Sequence, residues 1–391
     1  MSDNPSSSPE SVKNFHKSPP PSPIKGEGVS SLFQYGYPLP WRERVGVRGF
    51  ISFFLHFPFS KEGKFFLFFL ILFVFPLPSH STNLYKYHQV SMGTVIEITL
   101  LTDREEVARK ASLQAFQEIR RIEEWMSPWK EKSDVSRLNR SAGKEWTSVS
   151  PETFQVLKKG QGLSERSEGG FDITIAPLSD LWRKARENGI PPPLEEVRKR
   201  LSLVNFRDLW LRPEGKAFLK KEGMAIDLGG IAKGYAVDRA SERLFALGVQ
   251  HFIVNAGGDV RTRGFKKDRP WSIGIQHPRA PEKLLAVLSV SDAAMATSGD
   301  YERFFFHQGK RYHHLLNPKT GFPAEECQSV TVLSKEATLA DGLSTAIFVL
   351  GPERGVALCQ TMEGVECLMV DKNGKVLMTP GLKDLISFNP S

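Results

Sequence analysis

An uninterrupted run of eleven apolar residues, FFLFFLILFVF at 65–75, constrains this chain more than any other stretch. As a helix it would span about 16 Å, short of the roughly 30 Å hydrocarbon core of a bilayer. It shows none of the alternation a half-buried strand would need. Lys61 and Lys64 precede it, and Ser79-His80-Ser81 follows as a small-x-small triplet. A basic flank, a short apolar stretch and a small-residue cleavage site are the layout of a secretory signal. Residues 61–81 therefore read as a signal peptide or N-terminal anchor, with a core strand or helix as the plainer alternative. Export places the chain in the periplasm or on the outer side of the inner membrane. No cysteine follows the run, so no lipid-attachment site is visible there.

Residues 1–60 are of another kind. SSSPES and SPPPSPIKGEG are rich in Pro, Ser and Gly and lack periodicity, the composition of a disordered extension. Such an extension ahead of an export signal is unusual, which points to translation starting nearer residue 50 or to a tail without function. Beyond the leader, residues 82–391 form a body large enough for a substantial core without metal or disulfide scaffolding. No apolar run reaches 20 residues, which excludes a multi-span membrane protein. The net charge of +8 raises the possibility of nucleic acid. Residues 1–64 hold eight Lys/Arg and five Asp/Glu, a net +3, leaving only +5 on the body. That mixed surface removes most of the case for nucleic acid. The three cysteines, Cys327, Cys359 and Cys367, form no CxxC pair and give no zinc spacing.

In the body, residues 94–101 alternate as a strand. Asp103 to Glu106 looks like a capping box opening a helix to about Met126, with Val107, Ala111, Leu113, Phe116, Ile119 and Ile122 as its apolar face. Ser150-Pro151 reads as an N-cap followed by proline in the first turn. The Pro191-Pro192-Pro193 run opens a short charged helix. Residues 225–228 read as a short strand entering Gly229-Gly230, and 231–247 as a helix closed by Gly248. Residues 337–350 and 353–362 read as helices, and 366–370 with 376–378 as a hairpin across Asn373-Gly374. Strands and helices mix without a regular βαβ alternation, which favours an α+β fold built as a single large unit.

Several motifs can carry chemistry. Asp227-Leu-Gly-Gly-Ile-Ala-Lys233-Gly-Tyr235 ends a strand in a carboxylate, turns on two glycines and opens a helix. Glycines admit a ligand to the backbone, and a helix N-terminus offers N–H groups to a phosphate; a simple strand–turn–helix explains the pattern as well. Gly169-Gly170-Phe171-Asp172 can cap a helix, or stack a ring and bind its polar edge. Asn255-Ala-Gly-Gly-Asp259 is a hairpin turn or a close backbone approach. Ser298, Asp300, Tyr301 and Arg303 lie within eight residues, but on a strand at most half share a pocket. His313-His314 precedes a Pro/Gly turn, where a general base is a better reading than a metal ligand; one of the two is structural. Asp341 and Thr345 lie one turn apart at the start of a predicted helix, hard oxygens suited to Mg²⁺ or Ca²⁺, or else an N-cap and a core threonine.

Taken in order, these blocks are highly specific. Across roughly residues 88–380 the chain resembles the ApbE family of flavin transferases. The resemblance rests on Met92-Gly93-Thr94, SPWKEKSDVSRLN, GGFDITIAPL, DLGGIAKGYAVDRA, NAGGDV, ATSGDYERFF, HHLLNPKTGFPA and ADGLSTA. It implies an Mg²⁺-dependent enzyme that attaches FMN from FAD to a Thr or Ser of a partner flavoprotein through a phosphoester, releasing AMP. Its acceptors are domains of membrane electron-transfer complexes. The metal ligands it implies are Asp341, Thr345 and the carbonyl of Ala232. It places FAD at Met92, Trp129, Gly170, Phe171, Asp172, Asp227, Gly229, Lys233, Tyr235, Ser298 and Leu315. His314 matches the catalytic base, with Asp341 as its metal-bearing partner. Three positions depart from the pattern: Trp129 stands where Tyr is common, Asn317 where Asp is usual, and Gly342 where Ala is usual. A pyrophosphatase splitting FAD into FMN and AMP, and a flavin-binding protein without catalysis, are the competing readings.

Overall fold

A computed structural model describes residues 82–388. They lie within one compact unit, Phe75–Ser391. The expectations for residues 1–60 and 61–81 fall outside the described residues.

The unit opens with a hairpin, β1 (Asn83–Ser91) and β2 (Thr94–Thr102), paired in unbroken antiparallel register. Its two-residue turn puts both Met92 (φ +52°) and Gly93 (φ +72°) in the left-handed region, which matches the twist of a tight hairpin. Helix α1 (Glu105–Met126) follows as foreseen, but its start differs. Arg104 is the N-cap and no side chain caps it, so the capping box does not form. Leu113 faces solvent, because the buried stripe runs through Ala108, Ala111, Ala115, Ile119 and Ile122 and position 113 falls off that 3.6-residue spacing. Helix α2 (Asp134–Arg140) and strand β3 (Thr147–Ser148) come next. Helix α3 (Pro151–Arg166) starts with Ser150 accepting from the Thr153 N–H. Helices α4 (Ala176–Asn188) and α5 (Leu194–Leu201) precede β4 (Leu209–Arg212) and β5 (Lys216–Leu219). The expected strand at 225–228 is a single parallel bridge, Ala225 to Ile175. Asn139 explains how an unpaired segment stays in place: its side chain donates to the Ile226 carbonyl (3.1 Å) and accepts from the Ile226 N–H (2.7 Å).

Helix α6 (Ala232–Ala246) leads into β6 (His251–Ala256) and β7 (Asp259–Arg263). Strands β8 (Trp271–His277), β9 (Ala280–Val290), β10 (Ala294–Gly299), β11 (Phe304–His307), β12 (Lys310–His313) and β13 (Cys327–Ser334) follow. Helix α7 (Ala337–Gln360) is broken at Gly351-Pro352, where Gly351 adopts φ +78°, so two helices stand where two were expected. Strands β14 (Glu366–Asp371) and β15 (Val376–Met378) form the expected hairpin, and β16 (Ile386–Phe388) closes the described chain.

An eight-stranded sheet runs β1-β2-β6-β7-β10-β13-β14-β15, antiparallel throughout. One face carries α1, α6 and α7 over the main core of Ile96, Ile98, Val254, Ala296, Val330 and their neighbours. The other face packs Val260, Met295 and Leu333 against the β16-β9-β8 sheet. Alternation along each central strand feeds the two cores: Ala294 and Ala296 turn to the helices, Met295 to the small sheet. A third cluster joins α4 and α5 to the β11–β12 hairpin through Trp182, Val197, Phe305 and Tyr312. Helices on one side of an antiparallel sheet confirm the α+β reading.

Candidate active site

Two helix N-termini meet beside the large sheet, and each is capped by a carboxylate from the other helix. Asp238 of α6 accepts from the N–H groups of Ala337 and Thr338 (2.9 and 2.8 Å) and from the Thr338 hydroxyl at 2.5 Å, and Arg261 pairs with it. Asp341 of α7 accepts from the Gly234 N–H at 3.0 Å. The crossing is tight: a β-carbon at Gly234 would stand 2.2 Å from the Ala337 carbonyl oxygen and 2.8 Å from Asp341 Cβ. Only glycine permits this approach.

Lys233 is charged and three-quarters buried here. Its ammonium pairs with Asp259 and lies 3.6 Å from Asp341 Oδ1. Both carboxylates are buried. Burial alone would lower the Lys233 pKa, but Asp259 and Asp341 outweigh it and hold it above the usual lysine value. Burial, and then the Asp341 charge, push Asp259 up to about 7 against the pull of Lys233. Burial also raises Asp341, opposed by Lys233 and the Gly234 N–H. Two carboxylates face one ammonium, so the cluster carries either a surplus negative charge or a retained proton.

Around it stand hydroxyls and glycines. Ser298 Oγ lies 2.8 Å from Ser344 Oγ and 3.2 Å from Thr345 Oγ1. Gly230 brings the loop against both Phe171 and Thr345; a β-carbon there would meet them at 3.1 and 3.3 Å. Asp227 accepts from the Gly229 N–H at 2.8 Å, which closes the turn before α6. Gly342 is the same kind of contact: a side chain there would meet Leu163 at 2.3 Å. Packing against α3 thus accounts for glycine where alanine was expected.

The two histidines separate cleanly. His313 is buried, with Nε2 on the Ala324 carbonyl (2.8 Å) and Nδ1 accepting from the Leu315 N–H (3.2 Å). It is the structural one. His314 is exposed, and its N–H donates to the Arg303 carbonyl at 3.1 Å. Although the residue is exposed overall, the protein packed around its ring, and then the Arg303, His313 and Lys233 charges, push its pKa down to about 3. The imidazole is therefore neutral across the physiological range.

The expected residues fall into two groups. Contacts tie part of the set together: Gly230 lies against Phe171 and Thr345, Thr345 against Ser298, and Lys233 against Asp341, while Asp227 closes the turn at Gly229 and Asp341 takes the Gly234 N–H two residues after Ala232. The Lys233 charge reaches His314, and Gly170 packs against Leu350. Leu315 is buried behind His313. Tyr235 is buried with its hydroxyl on Gln155 at 3.3 Å. Asp172 is turned inward: it accepts from the Thr174 N–H (2.8 Å), the Thr174 hydroxyl (2.7 Å) and the Phe206 N–H (2.9 Å), and burial raises its pKa despite them. Its role in the structure is to fold the GGFD loop. Trp129 is 71 % exposed with the Arg183 guanidinium 5.0 Å over its ring. Met92 sits in the β1–β2 turn and packs against the main core. Asp259 and Arg303 belong to motifs visible in the sequence but carry no assigned role there, and Ser344 has no motif role; as the only acid of NAGGDV, directly after the glycines, Asp259 is the one with a local signal.

Among the described residues no three His, Cys, Asp or Glu side chains surround a common metal position. The oxygens expected to hold a metal are instead the Asp341 carboxylate, the Thr345 hydroxyl one turn further along α7, and the Ala232 carbonyl at the start of α6, the helix whose Gly234 N–H Asp341 accepts. A low-charge set of hard oxygens suits Mg²⁺, which keeps waters and takes further oxygens from a phosphate. A cation would take the place of the proton that two carboxylates on one ammonium otherwise retain.

A mixed α+β unit with glycine turns, paired helix N-termini and a neutral imidazole is an enzyme scaffold suited to a phosphorylated ligand. The model of the ApbE family matches residues 92–369. The FAD:protein FMN transferase of Klebsiella pneumoniae (strain 342) is 33% identical over 300 residues, covering 76% of this chain and 92% of that protein. The protein of the same name from Vibrio cholerae is 33% identical over 291 residues, covering 72% of this chain and 86% of its own length. Among solved structures, the ApbE protein of Thermotoga maritima superposes with a TM-score of 0.72 at 33% identity, over 78% of this chain and 99% of that one. The flavin transferase ApbE of Vibrio cholerae gives 0.70 at 28% identity, with the same two coverages. The chain belongs to the ApbE family and is accordingly a transferase.

Proposed function

We propose that this chain is an exported, Mg²⁺-dependent FAD:protein FMN transferase. It joins FMN from FAD to a Thr or Ser hydroxyl of an acceptor domain in a membrane electron-transfer complex, releasing AMP. The observation that carries the reading is the charge cluster at the α6–α7 crossing: two buried carboxylates against one lysine, beside two helix N-termini and a neutral imidazole.

Each part has a task. The Gly229-Gly230 turn lets the pyrophosphate approach the start of α6, whose positive helix potential favours it. Lys233 adds a fixed cation and opposes the rise that burial imposes on the Asp341 pKa. Asp341, Thr345 and the Ala232 carbonyl would hold the Mg²⁺, which when bound would supply charge neutralisation to the pyrophosphate and to the leaving AMP phosphate. Phe171 beside Gly230 offers an apolar wall. The acceptor hydroxyl oxygen attacks the phosphorus bonded to riboflavin, the bond from that phosphorus to the AMP phosphate oxygen breaks, and His314 takes the hydroxyl proton. Burial depresses the His314 pKa most, and the Arg303, His313 and Lys233 charges add to it. A bound pyrophosphate offsets those same charges, so the substrate itself makes the imidazole a stronger base.

The test is an incubation with FAD, Mg²⁺ and a candidate acceptor domain, followed by the acceptor's intact mass. An FMN-sized increment is expected. Free FMN with an unmodified acceptor would replace transfer by hydrolysis, and tight FAD binding without turnover would remove both enzyme readings.

A further inference from the structure

The β3-β5-β4 sheet has a face the catalytic reading leaves unused. Its inner residues, Leu209, Ala217 and Leu219, are committed to the main core. Its outer residues are ordered in two rows by the register. Thr147 pairs with Ala217 and Trp210 with Phe218, so Trp146, Phe218 and Trp210 form one cross-strand row. Their ring centroids lie 5.4 and 5.6 Å apart. The next row is Ser148, Lys216 and Arg212. The Arg212 guanidinium lies 4.0 Å over the Trp146 ring, and Lys220 lies 5.9 Å from the Trp210 ring. Trp210 is 45 % exposed, and Ser148, Lys216 and Arg212 are exposed.

This arrangement is unfavourable for the isolated protein. Lys216 and Arg212 stand directly opposite each other, and like charges in that position destabilise a sheet. Among the described residues neither has an acidic partner, although Glu145 and Glu214 are close in sequence. Lys220 alone is offset, by Asp208 at 3.6 Å. The face is a row of rings, not a cavity, so its shape selects no small ligand. Indole and phenyl rings interleaved with Lys and Arg are the composition that settles at a lipid headgroup layer, with rings among the headgroups and cations on their phosphates. The apolar run at 65–75, read as an export signal or anchor, brings the chain to such a surface.

We propose that the outer face of β3-β5-β4, centred on Trp146, Phe218, Trp210, Arg212 and Lys216, docks on an anionic lipid bilayer. This would fix the orientation of the body on the membrane, and it stands or falls independently of the catalytic reading.

The test uses the full chain and a local probe, so binding through the leader is not mistaken for docking of this face. All three native cysteines are buried. A polarity-sensitive thiol dye on Ser148→Cys therefore reports the second row alone, and the same dye on Asp268→Cys, in the turn before β8, serves as control. With vesicles of equal parts phosphatidylglycerol and phosphatidylcholine, the dye at 148 should shift to the blue, and raised salt should reverse the shift. Arg212→Gln with Lys216→Gln, both on the exposed face, should weaken the vesicle affinity read by that dye about thirtyfold at an unchanged melting temperature. The proposal is overturned if the dye at 148 does not respond, if the dye at 268 responds equally, or if phosphatidylcholine vesicles give the same shift. A blue shift with an acceptor domain and none with vesicles would also overturn it, marking a protein-binding face instead.

Discussion

Asp238 and Asp341 are the same residue type in mirrored positions, each capping the helix that carries the other. Asp238 is saturated: two N–H groups, a hydroxyl and the Arg261 guanidinium meet its two oxygens. Asp341 receives one N–H and shares one lysine with a second carboxylate. Saturation makes a structural cap, whereas the shortfall leaves Asp341 able to take a further cation. The difference separates the supporting half of the crossing from the working half.

The largest effect should come from the saturated side. Asp238→Ala leaves Arg261 and two N–H groups without their partner, and thermal unfolding should show a loss of about 3–5 kcal/mol. A loss below about 1 kcal/mol would mean that Asp238 is not the structural member of the pair. On the other side, Asp341→Ala should lower turnover about 100- to 1000-fold while the melting temperature changes little. Turnover near the wild-type level would remove Asp341 from the site. His314→Gln should cost about 100-fold in kcat without changing FAD affinity. Because the neutral ring is the active form and its pKa in the free cleft is depressed to about 3, no fall in kcat/KM assignable to His314 should occur near pH 6.5. A wild-type acidic limb there that His314→Gln abolishes would contradict this.

The smallest effect sharpens the comparison through pH. The folded pKa of Asp259 is raised to about 7, above the ordinary carboxylate value. The folded state therefore holds its proton more tightly than the unfolded state. That stabilisation is complete below the ordinary carboxylate range and is lost as pH rises through about 7. Asp259→Asn should flatten this slope, raising the melting temperature relative to wild type at pH 8 more than at pH 5. An equal shift at both would disconnect Asp259 from the cluster.

Much of this was legible in the sequence, for local reasons. The α3 cap at Ser150, the β14–β15 turn at Asn373-Gly374 and the break before Pro352 each depend on residues a few positions apart. The α1 capping box failed for the same reason in reverse, since Asp103 and Glu106 fit the pattern but the chain enters the helix at Arg104. The crossing was not legible. Asp238 meets Ala337, and Asp341 meets Gly234, across about a hundred positions, so no local spacing pairs them. Lys233 and Asp341 were each chosen, but their shared dependence on Asp259 appears only when β7 lies beside both helices. The GGFD motif misled in another way. Its aspartate has the chemistry of a ligand contact, yet the fold spends one oxygen on Thr174 in its own loop and the other on the Phe206 N–H, 34 positions on.

One carboxamide links the chemical lifetime of a side chain to the glycine turn. The loop feeding Asp227 and the glycine turn bonds Ile173 and Ile175 on one side, and on the other rests on that carboxamide, Asn139, working as donor and acceptor on Ile226. Deamidation turns that carboxamide into a carboxylate, and its former donor would become a charge facing the Ile226 carbonyl. A mass increase of about one unit, located to Asn139 in stored samples and rising in step with lost turnover, would make this amide a chemical clock on the lifetime of the site; turnover lost without that change would assign the ageing elsewhere.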